Sequence, residues 1–382
     1  MRPAQRFFFL MFVPVCAVVC SFPARGEEDA AAVMDIHFGV IEPPVVAQQD
    51  ITVRAATSNQ QLDEKPLECS GLAWNEGTLL ISSDRHEHLL FTCPVDLDKM
   101  VIGTPSKKVI IRNEQYLLSD IESLTLRKHN GQLSVVMMGS LSNAPDAQPL
   151  PQRRHLFWAD VKSTSPFVIG HPNVLSAGSI RRQLEPLMDA IKLAPYTAFD
   201  AEYPGDDKNT YRWGNVEGIS FTPDGKTLLC GMRNPLYGQE AVLFAVSGIP
   251  EAMQSLEPDI VSISDLFLLD LGNRGVSDLV WDSVTQGFLI TAAKSNGPRL
   301  DPDAPYPPNT LDSALFWWSG QKADKPILVV RIPDMTIEAV CRLGDSRYIA
   351  LGSDEGDISE GRSYRQSVIT ILEFSGIRRN PQ

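Results

Sequence analysis

Asn215–Pro235, NVEGISFTPDGKTLLCGMRNP, reads as two short strands folded about a turn. Ile219, Phe221, Leu228 and Leu229 give the strands apolar faces. Pro223-Asp224-Gly225 makes the turn, because proline presets φ and glycine accepts a positive φ. Glu217 starts the first strand, and Arg233 and Asn234 close the second. A hairpin brings all three to one end.

The unit recurs. Cys69–Trp74 leads to Leu79–Ser83, Asp120–Leu124 to Leu133–Ser140, Val276–Trp281 to Phe288–Ala293, and Ile337–Val340 to Tyr348–Ser353. In register, the aligned positions are Ser70, Glu122, Glu217, Ser277 and Glu338, at intervals of 52, 95, 60 and 61 residues. A third apolar stretch follows each pair, beginning near His88, His155, Ala241, Ala314 and Ser367. Four repeats continue to a fourth: Val109–Ile111, Phe167–Ile169, Leu266–Leu269 and Ile327–Val330. The fifth runs out of chain, while Ile36–Ile41 and Ile51–Ala55 stand spare at the other end.

Repeated four-stranded units of this length predict an all-β fold, a β-propeller of five blades closed by both ends of the chain. The long second interval predicts an insertion at about 173–212, with a helix over Gly178–Leu193 in which Ile180, Leu184 and Ile191 recur at helical spacing. A sixth, degenerate blade there is the alternative.

Composition narrows the function. The 382 residues are 43% hydrophobic and 21% charged, which suits a large core. Arg2 and Arg6, the 14 apolar residues Phe7–Cys20, and Ala24-Arg25-Gly26 have the pattern of a secretory signal peptide ending at residue 26. The run is short of the roughly 20 residues that a spanning helix needs. Without residues 1–26 the chain has 31 basic residues (34 less three arginines) and 47 acidic ones, a net charge of −16. This argues against nucleic acid and anionic membranes as partners and favours a cation or small molecule. The expectation is a secreted or periplasmic monomer forming one domain over residues 27–382. Cys69, Cys93, Cys230 and Cys341 lie in strands without CxxC spacing, so buried thiols are as consistent as disulfides and a zinc site is disfavoured.

In such a ring, first-strand starts and second-strand ends share one mouth. That gathers Glu122, Glu217 and Glu338 as an acidic ring, with Arg233, Asn234, Arg274 and Asp278 beside it, and Asp84, Asp120 and Asp354 nearby. Three readings stand. The glutamates pair with Arg233 and Arg274 across blades, since a buried carboxylate needs a partner. Alternatively, Glu122, Glu217 and Glu338 hold Ca²⁺ or Mg²⁺, which favour oxygen ligands. Or a metal-bound water or carboxylate base hydrolyses an ester or phosphoester, although no GxSxG nucleophile motif is present. A protein-interaction surface on the rim and insertion is a further class. Trp158, Trp281, Trp317 and Trp318 read as filling between blades, whereas Trp213 is placed to reach the mouth.

Val216-Glu217-Gly218-Ile219 with Gly231-Met232-Arg233-Asn234-Pro235, and Leu271–Val276 with Phe288-Leu289-Ile290, resemble the EGL…GxRxP and LGxRGI…YLI signatures of the bacterial domain-of-unknown-function family DUF3616. The resemblance covers most of Leu67–Phe374 and is more distant to esterase-like, phytase-like propellers. It implies an exported propeller and no established reaction.

Overall fold

The structure is a computed structural model. It describes residues 45–56, 62–66, 68–84, 86, 89–103, 105–109, 119–142, 151–180, 182–184, 215–234, 236–237, 239–295, 312–333, 335–354 and 367–376. All belong to one unit, Ala32–Gln382. The signal-peptide segment, the spare segment Ile36–Ile41 and Trp213 lie outside the described residues.

The first strands are β1 (Val45–Ala56) and β2 (Leu62–Pro66). Blade one is β3 (Cys69–Asn75), β4 (Thr78–Ser83) and β5 (Leu89–Asp96), with β6 (Val101–Ile102) and β7 (Ser106–Val109) both outside β5. Blade two is β8 (Ile121–His129), β9 (Gln132–Gly139) and β10 (His155–Thr164), with β11 (Phe167–Ile169) and β12 (Asn173–Ser176) both on β10. Blade three is β13 (Asn215–Phe221), β14 (Leu228–Asn234), β15 (Ala241–Ser247) and β16 (Ser262–Leu269), and the helix α1 (Ile249–Ser255) joins its last two strands. Blade four is β17 (Arg274–Asp282), β18 (Gly287–Lys294), β19 (Ser313–Trp318) and β20 (Ile327–Ile332). Blade five is β21 (Ile337–Arg342), β22 (Tyr348–Asp354) and β23 (Ser367–Glu373), completed by β1 and then β2.

The inner strands touch in sequence, β3 to β8 to β13 to β17 to β21, and β21 returns to β3. The ring is therefore closed, and the fold is a five-bladed β-propeller. Closure uses both ends of the chain, as expected: β1 pairs antiparallel with β23, Gln48 opposite Thr370 and Asp50 opposite Val368. There is no sixth blade among the described residues.

Five apolar clusters fill the five gaps between neighbouring blades. Alternate residues of each sheet serve opposite gaps, which is the period-two rule of a strand buried on both faces. Trp158, Trp317 and Trp318 are buried in these gaps and Trp281 packs against one, as expected. Cys69, Cys93, Cys230 and Cys341 are buried free thiols.

The outer strands depart from expectation. Blade one was expected to finish with Val109–Ile111, but its edge is split between β6 and β7. Gly103 N–H donates to Pro94 O at 2.7 Å at the break, where Pro94 interrupts β5 as a donor. The edge of blade two splits likewise, with Gly170 N–H on Asp160 O at 2.7 Å. Because β12 pairs with β10, residues 173–176 belong to blade two, and the insertion begins after Ser176. Residues 178–180 and 182–184 are helical, as expected, and the rest of the expected helix lies outside the described residues. Ile180 and Leu184 are buried between blades two and three. Gln183 donates to Val261 O at 2.7 Å and accepts from Ile263 N–H at 3.0 Å, so the helix covers a blade edge. No described helix is long and apolar enough to cross a membrane.

Candidate functional site

The five aligned positions share a local device that the sequence does not display. Each inner strand slips register at that residue: between Cys69 and Gly71, Ile121 and Ser123, Val216 and Gly218, Val276 and Asp278, Ile337 and Ala339. Ser70, Glu122, Glu217, Ser277 and Glu338 are thus the extra residues of five β-bulges. A bulge leaves its extra residue unpaired and re-aims the side chain. Five of them around one ring turn five side chains to one mouth.

Arg233, from the end of β14, ties three of these together. Its Nη1 lies 2.5 Å from Glu217 Oε2, 2.8 Å from Ser277 Oγ and 2.8 Å from Glu338 Oε2, and its Nε donates to Lys294 O at 2.7 Å. One guanidinium thereby links blades three, four and five. Burial works against the charged guanidinium, but Glu217 and Glu338 outweigh it and hold its pKa above the ordinary value. The same guanidinium cannot balance both glutamates. Burial pushes Glu217 up to about 8, with Arg233 opposing and Glu338 adding repulsion.

Blades one and two supply carboxyls with less relief. Glu122 is raised well above the carboxylate range by burial and then by Asp120, Glu217, Asp84 and Glu338. Asp84 is pushed up to about 8 by burial, by its contact with Glu68 and by repulsion from Glu68, Asp354 and Asp120. Asp120 is better supplied, with the hydroxyls of Ser140 and Ser142 and with Arg153 Nη1 at 3.2 Å. Asn215, 5% exposed, donates from Nδ2 to Glu217 Oε1 at 2.6 Å, and its Oδ1 is buried with no donor among the described residues. With the Glu68–Asp84 pair ionised, Asp84 Oδ1 is likewise a buried acceptor without a donor.

Of the expected residues, Glu122, Glu217, Arg233 and Glu338 come together. Asn234 sits beside them but is engaged by Ser295, whose hydroxyl donates to Asn234 Oδ1 at 2.5 Å. Arg274 differs from expectation. Its Nε donates to Asp312 O at 2.8 Å and its Nη1 to Gly272 O at 3.0 Å, so its guanidinium holds the loop entering blade four. Asp278 also differs. One residue past its bulge, it turns to the next blade, and its carboxylate accepts from Leu279 N–H and Val340 N–H, both at 2.8 Å. There it satisfies backbone amides of blades four and five. As for the metal expectation, Arg233 holds the place between Glu217 and Glu338 expected for a cation. Among the described residues no three His, Cys, Asp or Glu side chains are arranged to hold a metal ion.

Sequence reasoning missed Glu68. It stands two residues before the aligned Ser70, as Asp120 does before Glu122, and both have positive φ, 43° and 58°. Extending the repeat alignment upstream finds it.

A cavity of about 300 Å³ lies at the other mouth of the ring, lined by the far ends of the inner strands. The acidic cluster and this cavity are therefore at opposite ends of the inner strands.

No family model and no curated protein matches the sequence. Solved structures similar to this chain include a protein of unknown function from Dyadobacter fermentans, at 9% identity and TM-score 0.39 over 87% of this chain and 99% of that one. Another is the β-propeller domain of Myceliophteria thermophila Cps50 (Swd1), at 9% identity and TM-score 0.33 over 90% and 99%. An exo-beta-1,3-galactanase from Phanerochaete chrysosporium with galactose matches at 9% identity and TM-score 0.40 over 85% and 65%.

Proposed function

We propose that this chain is an exported propeller that binds a small cation, an organic ammonium or a divalent metal ion, at its acidic mouth. The observation that carries the reading is Asn215 Oδ1. Among the described residues it is a buried acceptor with no donor, beside a glutamate whose own cationic partner is shared. A buried acceptor left unmet costs about 1–3 kcal/mol, and a ligand N–H or a cation would remove that cost. When the Glu68–Asp84 pair is ionised, Asp84 Oδ1 offers a second such acceptor. Burial and mutual repulsion raise the pKa of Glu122, Glu217 and Asp84, so a cation that enters displaces protons from them. Binding should tighten as pH rises toward 8.

Once ionised, these carboxyls disfavour a phosphoester substrate. An anion would meet carboxyls, and Arg233 already serves Glu217 and Glu338.

The test is calorimetric titration with Ca²⁺, Mg²⁺, guanidinium and ethylenediammonium at pH 6 and pH 8.5. The expected result is binding by at least one, tighter at the higher pH, with protons released to the buffer and affinity lost in Asn215→Val. At 100 times the dissociation constant a ligand adds about 2.7 kcal/mol to stability, which a melting curve resolves. No heat and no melting shift with any of the four would overturn the reading.

A further inference from the structure

The cavity at the far mouth has a chemistry of its own. All five blades line it. The inner strands run six to nine residues, which at about 3.3 Å per residue puts it roughly 20 Å from the acidic mouth. Leu72, Val280 and Cys341 contribute apolar floor, and Trp74 and Trp281 stand in the wall, both half-buried.

The two indoles are held in place. Trp281 packs edge-on against Phe288, with 5.1 Å between ring centroids and 71° between planes. Trp74 packs on the core between blades five and one and lies against Gly344, where an added Cβ would stand 3.1 Å from its Nε1. Buried indole N–H groups ordinarily find an acceptor. Trp317 and Trp318 do: Trp317 donates to Thr285 Oγ1 at 3.0 Å and Trp318 to Gln321 O at 3.1 Å. Among the described residues Trp74 and Trp281 have none. Trp74 and Trp281 are instead half-buried and line the cavity, so their rings and N–H groups are open to an occupant.

Charge at this mouth cancels. Arg342 is gripped by Asp282 at 2.9 and 2.5 Å and donates to Phe374 O at 2.6 Å. That leaves Lys128 and Asp345 exposed at the rim, one of each sign. The occupant should therefore be neutral, with a flat apolar face for the indoles and oxygens to accept their N–H groups. The volume is at the small end of ligand cavities.

We infer that the far mouth binds a neutral pyranose sugar, one ring lying on the indoles with its hydroxyls meeting Trp74, Trp281 and the rim residues Ser283 and Asp345. This site is independent of the acidic mouth and of any cation bound there.

The experiment is saturation-transfer NMR and tryptophan-fluorescence titration of the full chain with glucose, galactose, mannose and N-acetylglucosamine, each to about 50 mM. Transfer to ring protons and a saturable fluorescence change are expected for at least one sugar. Trp281→Ala should weaken that binding more than tenfold. Trp74→Phe, which keeps the ring and deletes the donor, should weaken it by roughly two- to tenfold, the range of one neutral hydrogen bond. Cation binding at the other mouth should be unchanged in both. Should Trp281→Ala fold poorly, Trp281→Phe substitutes for it. The inference is overturned by absence of transfer from all four sugars, or by sugar binding that survives undiminished in the double variant Trp74→Phe/Trp281→Phe.

Discussion

Replacing Arg233 with methionine removes the one cation that blades three, four and five share at the acidic mouth. Glu217 Oε2 and Glu338 Oε2 lose a donor at 2.5 and 2.8 Å, and Lys294 O loses one at 2.7 Å. Breaking a buried ion pair from one side costs about 3–5 kcal/mol, because the partner charge is left unrelieved. At about 2.1 cal/mol/K per residue, the 382 residues give an unfolding entropy near ~0.8 kcal/mol/K, so the melting temperature should fall by about 4–6 °C. The loss should be largest above pH 8 and smaller at pH 5.5, where Glu217, its pKa raised by burial, takes up a proton and ceases to be a charge. Adding Glu217→Gln and Glu338→Gln to the Arg233→Met chain should recover much of it, since neutral amides do not need the guanidinium. Scanning calorimetry of the single and triple variants at both pH values decides the matter. If Arg233→Met melts within 1 °C of the parent at pH 8.5 (a margin of about 1 kcal/mol), or if the triple variant is no better than the single, the ion-pair account of the mouth is wrong.

Two further outcomes follow from the same geometry. Glu217 and Asp84 lie near 8 in the folded chain against ordinary values of 4.5 and 3.8, so the native state holds protons that the unfolded chain has released. Their stabilisation is complete below about pH 4 and lost as pH rises toward 8, by at most about 1.4 kcal/mol per pH unit per group. The urea midpoint should therefore be lower at pH 8.5 than at pH 5.5 without added cations, and Glu217→Gln should flatten that slope. In Gly275→Ala the new methyl group would run into the Arg233 carbonyl. A cost of at least about 1–3 kcal/mol is expected, read as a lower melting temperature, together with weaker cation binding as Arg233 is displaced.

The repeat was legible because every inner hairpin carries its own punctuation. Thr222–Thr227 closes as expected around Gly225, whose φ is 67° and whose N–H donates to Thr222 O at 2.8 Å. The ring closure was legible as an arithmetic defect, three strands where four are needed, and β1 supplies the fourth. The outer strands were less legible, since an edge that breaks opposite Pro94 or at Gly170 leaves short pieces without a full alternating pattern. The site was half legible for a more specific reason. A strand reading assumes period two, and a bulge changes the count by one without changing composition. At the bulge itself, Glu217 and Glu338 fall where the alignment puts them. One residue after it, Asp278 turns from the mouth to the next blade and bridges the Leu279 and Val340 amides. Gly218 holds the same place in blade three, where an added Cβ would stand 2.8 Å from Leu279 N. Position and residue size together, glycine where the next backbone crowds in and aspartate where its amide is left unmet, mark these places as contacts between blades. The chemistry is left to the bulged residue just ahead of them, and a sequence reading of a propeller mouth should place its candidate ligands there.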